Sequence, residues 1–500
     1  MTTQITELSD RPHGFDRYGA KRVRRSRIPL PSVRLYRSER KVLLALVDVV
    51  LLNAALFVVW GLRSAQSLSP ALLTEPIKWY IVLTAVWAIW ALVFDVYDLA
   101  RSASLSAILP NITLAVLGTG LVYAFIPNLT PPLESRATVL LFWLAAWLSL
   151  VAWRVTYAKL FVQPWFQQQA LVVGAGWAGR TLAEVLRTAP NDANPFRGTG
   201  YVLRGFIDDS PELQGQAICD VPVLGNRAVL VQMAEAMQID EIIVAITHRH
   251  AIQPELFDAL LRCREMGIRI TPMSLVYERL LGRVPVLHLG RDLQAALPVE
   301  DSATYRLYRG VKRVADVVIA AAALLPLALI CPVVAAANAL WSPGPLFYRQ
   351  TRVGQGGRHF QCIKFRSMVP DAEKRTGAVW AAKDDDRVTP VGRVLRKTRL
   401  DELPQVINVL RGEMSVIGPR PERPEFVEEL AQTIPFYRAR HAIRPGITGW
   451  AQVQYRYGNC HDDARIKLEY DLYYVRHAGV FLDLKILVKT AAVMVQFKGQ

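Results

Sequence analysis

The sequence predicts a multi-domain membrane protein: a four-helix transmembrane bundle, a Rossmann-like α/β domain, and a second α/β domain tied to the membrane by a re-entrant helix. Three observations predict it. Four long apolar stretches precede residue 162, a Gly-x-Gly-x-x-Gly run follows a short apolar strand at 170–173, and a fifth apolar stretch at 317–340 carries two prolines and is flanked on both sides by cations. The chain has 500 residues, 52% of them apolar, with 59 Lys plus Arg against 43 Asp plus Glu, which excludes a disordered chain. Its five cysteines lie far apart with no Cys-x-x-Cys pair, which excludes a disulfide scaffold and a thiolate zinc site.

Residues 1–41 form a basic tail, with 11 Lys or Arg against 4 acids. A nucleic-acid arm would look similar. A cytoplasmic anchor for anionic lipid is favoured because hydrophobic segments follow at once, so no nucleic-acid partner is expected. Residues 42–165 hold four spans, Val42–Leu62, Lys78–Val96, Leu105–Ile126 and Thr138–Phe161, each near the ~20 residues that cross a bilayer core. An even number of spans returns the chain to its starting side, and the basic flanks put that side in the cytoplasm. Asp48 and Arg154 fall inside spans, where a structural pair or a snorkelled end is expected over an ion path.

Residues 166–297 read as the Rossmann-like domain. Gly174, Gly176 and Gly179 stand between a strand and a helix, the setting in which glycines let backbone approach a diphosphate. Asp208-Asp209, at the end of the next strand, is placed to meet a ribose hydroxyl. The stretch resembles sugar-nucleotide epimerases and dehydratases, yet neither Tyr201 nor Tyr277 has a lysine four residues on, so it is expected to be non-catalytic. A nucleotide- or CoA-binding-like domain, a dimerisation module and an empty remnant all remain open. His248 and His250 read as surface residues, since a metal site needs three or four converging donors.

Residues 298–500 form the last domain, with the re-entrant helix at about 314–341. Pro326 and Pro332 interrupt it, and cations on both flanks (Arg306, Arg309, Lys312 and Arg313 before; Arg349, Arg352 and Arg358 after) oppose a crossing. Beyond it lie four clusters, beginning at Lys364, Arg396, Gly412 and Arg444. Asp401 and Glu402 are adjacent carboxylates among cations, whose proximity lowers a carboxylate pKa. An ionised aspartate can attack phosphorus without a base, and its neighbour can hold Mg²⁺ together with substrate phosphates. Pro404 suits a first helical turn, so a helix over 403–410 is expected to begin beside the dyad. Lys364, Arg366, Arg396, Arg420 and Arg444 are candidates to neutralise phosphate. Asp384-Asp385-Asp386 reads as solvated.

Residues 305–500 resemble the bacterial sugar transferases, the monotopic polyprenyl-phosphate sugar-1-phosphate transferases. The resemblance rests on Ser342-Pro-Gly-Pro345, Arg352-Val-Gly354, Lys364-Phe-Arg-Ser-Met368, Leu400-Asp-Glu-Leu-Pro-Gln405, Gly418-Pro-Arg-Pro421, Arg444-Pro-Gly-Ile-Thr-Gly-Trp450 and Tyr470-Asp-Leu-Tyr-Tyr474. With four spans and a Rossmann-like domain ahead of it, the whole chain looks like the long form that primes exopolysaccharide synthesis in the bacterial inner membrane, with both termini and the phosphoglycosyl transferase domain in the cytoplasm. The resemblance implies transfer of sugar-1-phosphate, glucose-1-phosphate first and galactose-1-phosphate as the alternative, from UDP-sugar to undecaprenyl phosphate, with release of UMP. It further implies Asp401 as nucleophile, Glu402 as the Mg²⁺ ligand, Arg396, Arg420 and Lys364 on phosphates, and Asp471 in support. The oligomeric state stays open, with a homodimer as one assembly. Where the family has Ser-Pro at its helix break, this chain has Leu325-Pro326 and Cys331-Pro332. A sugar-nucleotide-sensing membrane scaffold is the non-enzymatic alternative.

Overall fold

The computed structural model describes residues 37–63, 77–124, 136–163, 166–187, 198–247, 252–290, 303–370, 372, 386–455 and 461–495. The basic tail up to residue 36, His248, His250, Asp384 and Asp385 lie outside them.

The four expected spans are helices: α1 (Arg37–Arg63), α2 (Ile77–Val93), α3 (Leu105–Ala124) and α4 (Arg136–Leu160). Helix α1 packs on α4, α2 on α3 and α3 on α4. Their shared core includes Leu52, Leu83, Trp87, Ile108, Ile112 and Leu150. Their outer faces stay apolar, with Val42, Leu46, Val50, Leu140, Leu144 and Leu148 exposed, as a lipid-facing surface requires. Helices α1, α3 and α4 are long and apolar enough to cross a bilayer, while α2 has 17 residues. Trp87 and Trp147 donate to Tyr97 and Thr113 inside the bundle, so these two rings serve packing and not the interface.

Asp48 and Arg154 meet in a two-pronged pair at 2.7 and 2.8 Å, and both side chains are fully buried. Removing one partner strands a charge in a medium without water, so Asp48→Ala is expected to destabilise the bundle by about 3–5 kcal/mol. The apolar double variant Asp48→Leu with Arg154→Leu is expected to recover most of that loss. Thermal unfolding in detergent checks both.

The middle domain is a six-stranded sheet: β1 (Gln168–Val173), β2 (Tyr201–Ile207), β3 (Ala217–Ile218), β4 (Val221–Gly225), β5 (Glu241–Val244) and β6 (Arg269–Pro272), in the order β3-β4-β2-β1-β5-β6. All neighbours pair in parallel except β3 with β4. Helices α5 (Trp177–Leu186), α6 (Leu230–Ala236), α7 (Pro254–Glu265) and α8 (Met273–Leu281) complete the doubly wound layers. The glycine loop lies where the strand order reverses, between β1 and β5, the usual crevice of such sheets. Gly174 has φ +101, and a Cβ on Gly179 would lie 2.1 Å from the Gly174 carbonyl oxygen, so neither position tolerates a side chain. Asp208 turns inward: its carboxylate accepts from the Ala175 amide at 2.6 Å and the Ser210 amide at 2.9 Å. Asp209 accepts from the Arg227 amide. Both carboxylates therefore bind the domain's own backbone.

The last domain begins with α9 (Ala303–Trp341), a 39-residue helix. Two half-helices were expected; instead α9 is continuous, with Pro326 and Pro332 inside it. A proline removes one N–H and bends a helix, but flanking turns can carry it on. One face, with Asp316, Ala320, Leu327, Val334 and Asn338, is buried, while Val311, Val318, Leu325, Leu329 and Val333 are exposed. Both ends of α9 grip the same domain. Near its start Arg313 donates to the Val409 and Leu410 carbonyls, and after its end Ser342 takes the Arg366 guanidinium.

There follow the antiparallel hairpin β7 (Phe347–Val353) and β8 (His359–Phe365), helix α10 (Pro390–Thr398), a 3₁₀ turn (Leu400–Gln405), α11 (Val406–Arg411), β9 (Ser415–Ile417), α12 (Pro424–Thr433), β10 (Gly446–Thr448), α13 (Trp450–Gln454), α14 (His461–His477) and α15 (Val480–Val495). Strands β9 and β10 pair in parallel. The three parts of the chain are pinned together. Glu278 of α8 binds Arg476 and His477 of α14, Trp450 Nε1 donates to the Gly282 carbonyl at 2.7 Å, and Lys489 of α15 reaches Asp95 below α2 at 2.6 Å.

Candidate active site

Asp401 and Glu402 sit in the 3₁₀ turn between α10 and α11. Arg399, at φ +60, ends α10 and turns the chain into it. The expected helix thus starts later, at Val406, because Pro404 falls inside the 3₁₀ turn. Both carboxylates are buried, at 9% and 7% exposure. Lys364, next to the last residue of strand β8, donates to Glu402 Oε1 at 3.1 Å. Arg420 donates to the same oxygen at 2.7 Å and reaches Oε2 at 3.5 Å.

The loop that carries Arg420 is fixed by close backbone contact. A Cβ on Gly418 would lie 2.4 Å from the Arg444 carbonyl oxygen, and one on Gly446 would lie 2.0 Å from the Gly418 nitrogen. The Gly418-Pro-Arg-Pro and Arg444-Pro-Gly motifs are therefore two halves of one packed junction at β9 and β10. Arg440 completes it. Its guanidinium donates to the Arg420 carbonyl at 2.8 Å, to Asp471 at 2.7 Å and to the Tyr437 hydroxyl at 2.8 Å. Asp471 thus acts on the site through Arg440 and the Arg420 backbone. Burial pushes its carboxyl up to about 6, against the pull of Arg440.

The two dyad carboxylates are driven apart. Burial would raise Glu402, but Arg420 and Lys364 overcome it and hold its carboxyl well below the usual range. Asp401 moves the other way, raised first by burial and then by the Glu402 charge, with Lys364, Arg420 and Arg396 pulling against them. The lowered aspartate expected from its basic neighbours is thus reversed, because burial and the adjacent carboxylate outweigh three cations. Asp401 Oδ1 is buried and has no hydrogen-bond partner among the described residues.

Of the remaining candidates, Arg396 lies close enough to act on Asp401 and is held by Ser367 Oγ at 3.0 Å. Arg366 points elsewhere. It donates to the Ser342 and Pro345 carbonyls and to Ser342 Oγ, closing the chain exit from α9. Arg444 lines a separate cavity with Arg313 and Asp316. The sequence reading missed Arg440 and Asn408, neither of which lies in a motif. Asn408 joins α11 to β8, accepting from the Ile363 amide at 3.1 Å and donating to the Gln361 carbonyl at 2.7 Å. Among the described residues no group of three or more His, Cys, Asp or Glu could hold a metal by itself. Mg²⁺ needs only one or two carboxylates beside phosphate and water, and Glu402, whose Oε2 is only weakly engaged, fits that set.

The family model described as bacterial sugar transferase matches residues 307–497, and one described as CoA-binding domain matches 92–271. The chain is 39% identical over 303 residues to the Aeromonas hydrophila UDP-N-acetylgalactosamine-undecaprenyl-phosphate N-acetylgalactosaminephosphotransferase, covering 59% of this chain and 67% of that protein. It is 31% identical over 376 residues to the UDP-glucose:undecaprenyl-phosphate glucose-1-phosphate transferase of Escherichia coli (strain K12), covering 70% and 75%. The exopolysaccharide production protein PSS of Rhizobium leguminosarum bv. phaseoli is 40% identical over 187 residues, which are 36% of this chain and 92% of that protein.

Proposed function

Because the chain belongs to the bacterial sugar transferase family, we propose that this membrane-bound transferase moves a hexose-1-phosphate, glucose-1-phosphate in the first instance, from a UDP-sugar to undecaprenyl phosphate. An Asp401 carboxylate oxygen attacks the sugar-bearing phosphorus, the bond to the UMP phosphate breaks, and UMP leaves. The lipid phosphate oxygen then attacks the aspartyl-linked phosphorus, freeing Asp401 and forming undecaprenyl-diphosphate-sugar. The observation that carries this reading is the asymmetry of the dyad. Glu402 is neutralised by Lys364 and Arg420, while Asp401 keeps one buried oxygen without a partner. A raised aspartate is also the more basic, and so the stronger, nucleophile once ionised. Lys364, Arg396 and Arg420 converge on the dyad and would take up charge on the phosphates. Mg²⁺ held by Glu402 with the donor diphosphate would supply further charge neutralisation.

The acceptor is confined to a leaflet and the donor is soluble, so the site must rest on the membrane surface. That both ends of α9 contact one polar domain supports a helix that dips and returns, since a crossing helix would carry its ends to opposite faces. On this reading both termini face the cytoplasm across the inner membrane. Purified membranes assayed with a panel of UDP-sugars are expected to release UMP beyond one equivalent per enzyme only when undecaprenyl phosphate is supplied. UDP-glucose is expected to be the best donor, with UDP-N-acetylgalactosamine, the donor named for the Aeromonas relative, as its competitor. Lipid-free conversion of the UDP-sugar would instead favour chemistry in the middle domain.

The pH dependence follows from the same site. Asp401 must be ionised to attack, and its pKa lies above the ordinary carboxylate value of ~3.9. The rate is therefore expected to fall as pH drops through that raised value, with Glu402 still ionised. Arg420→Gln removes a cation that lowers Asp401, so the acidic limb of kcat/KM is expected to move to higher pH.

A further inference from the structure

A cavity of about 560 Å³ opens between the start of α9 and the loop at 442–444, and none of Lys364, Arg396, Asp401, Glu402 or Arg420 lines it. We infer that it holds the phosphate headgroup of an anionic phospholipid from the surrounding leaflet, a site separate from the transfer chemistry and independent of it.

Arg306, Arg309, Lys312, Arg313 and Arg444 all line this cavity, against a single carboxylate among the described residues, Asp316. That carboxylate is already engaged, accepting from Ser415 Oγ and the Val416 amide, each at 3.0 Å. Lys312 is likewise held by Asp483 at 2.9 Å, and Arg313 by two carbonyls at the end of α11. The guanidinium of Arg444 is held below its usual range by burial and by the adjoining Arg313 and Arg309 charges, against the pull of Asp316. Cations brought this close repel unless an anion joins them.

The surroundings identify the source of that anion. The four cations on α9 sit about one to three turns before its apolar part, the depth at which lipid phosphates lie. Leu307, Val311, Val314 and Val318 on the same stretch of helix are exposed, giving acyl chains a surface to follow away from the headgroup. The volume suits a glycerophosphate headgroup and lies within the ordinary range of ligand cavities. The polyprenyl acceptor carries phosphate too, but to react it must lie against Asp401, which this cavity does not include.

The test uses the full chain in detergent, with bound lipid counted by native mass spectrometry. Phosphatidylglycerol is expected to be retained at least tenfold better than phosphatidylcholine. Arg309→Gln and Arg444→Gln are each expected to weaken that retention at least fivefold, Arg309→Lys to preserve most of it, and Arg262→Gln, an exposed cation on α7, to leave it unchanged. Arg309 is exposed, so its variant folds and decides the matter even if Arg444→Gln does not. Equal retention by Arg309→Gln and the parent would overturn the assignment. So would displacement of phosphatidylglycerol by equimolar undecaprenyl phosphate, which would give the cavity to the acceptor. Loss of UMP release in Asp401→Asn with lipid retention intact would separate this site from the reaction.

Discussion

Asp401→Asn is expected to lower UMP release by about three orders of magnitude or more while leaving the protein folded. The amide is nearly isosteric with the carboxylate but cannot form a stable bond to phosphorus. Among the described residues Oδ1 has no hydrogen-bond partner to lose, and an amide nitrogen placed there would at worst leave its buried NH2 group unsatisfied, a cost of ~1–3 kcal/mol for the group. The measurement has two arms. Steady-state UMP release from membranes gives the rate, and thermal unfolding shows that the fold survives. Incubating the parent protein with UDP-sugar and no lipid, then digesting it, is expected to yield one hexose-phosphate adduct on the peptide that contains residue 401. Near-normal rates in the asparagine variant would remove Asp401 from the role of nucleophile, whatever the family relationship.

Glu402→Gln is expected to have the second largest effect, a fall of about two to three orders of magnitude with weakened dependence on Mg²⁺. Two changes combine in it. Lys364 and Arg420 lose the charge that holds them at 3.1 and 2.7 Å, so the groups meant for phosphate lose their fixed positions. The like-charged neighbour that raises Asp401 also disappears, so the acidic limb of the pH profile is expected to move to lower pH, opposite to the shift expected for Arg420→Gln. Opposite shifts from two variants that both lose rate are a signature that general misfolding would not produce. If Glu402→Gln leaves the limb where it was, the two carboxylates are not electrostatically coupled.

Much of this was legible in the sequence because it depends on short-range composition. The spans follow from runs of apolar residues, and the glycine loop follows from its place between a strand and a helix. Even the Asp48–Arg154 pair could be expected, since two charges in hydrocarbon have few other ways to be tolerated. The fate of each arginine was not legible. Arg366, Arg420 and Arg444 sit in equally basic motifs, yet the first closes the exit from α9, the second holds Glu402 and the third lines another cavity. Nothing local distinguishes a guanidinium aimed at a carbonyl from one aimed at a carboxylate. The continuity of α9 through two prolines was also hidden, because whether a proline ends a helix depends on what packs around it.

The sequence by itself determined which residues could do the chemistry: an Asp-Glu pair, three nearby cations, and glycines at the junctions that bring their loops together. Tertiary structure alone decided how those residues divide the work. It buried Asp401 beside an ionised Glu402, so that one carboxyl rises and the other falls, and it brought Arg440 from outside every motif to hold Asp471 and the Arg420 backbone. The reason is physical: identity and spacing are properties of the chain, whereas burial and the field of distant charges exist only once the chain has folded.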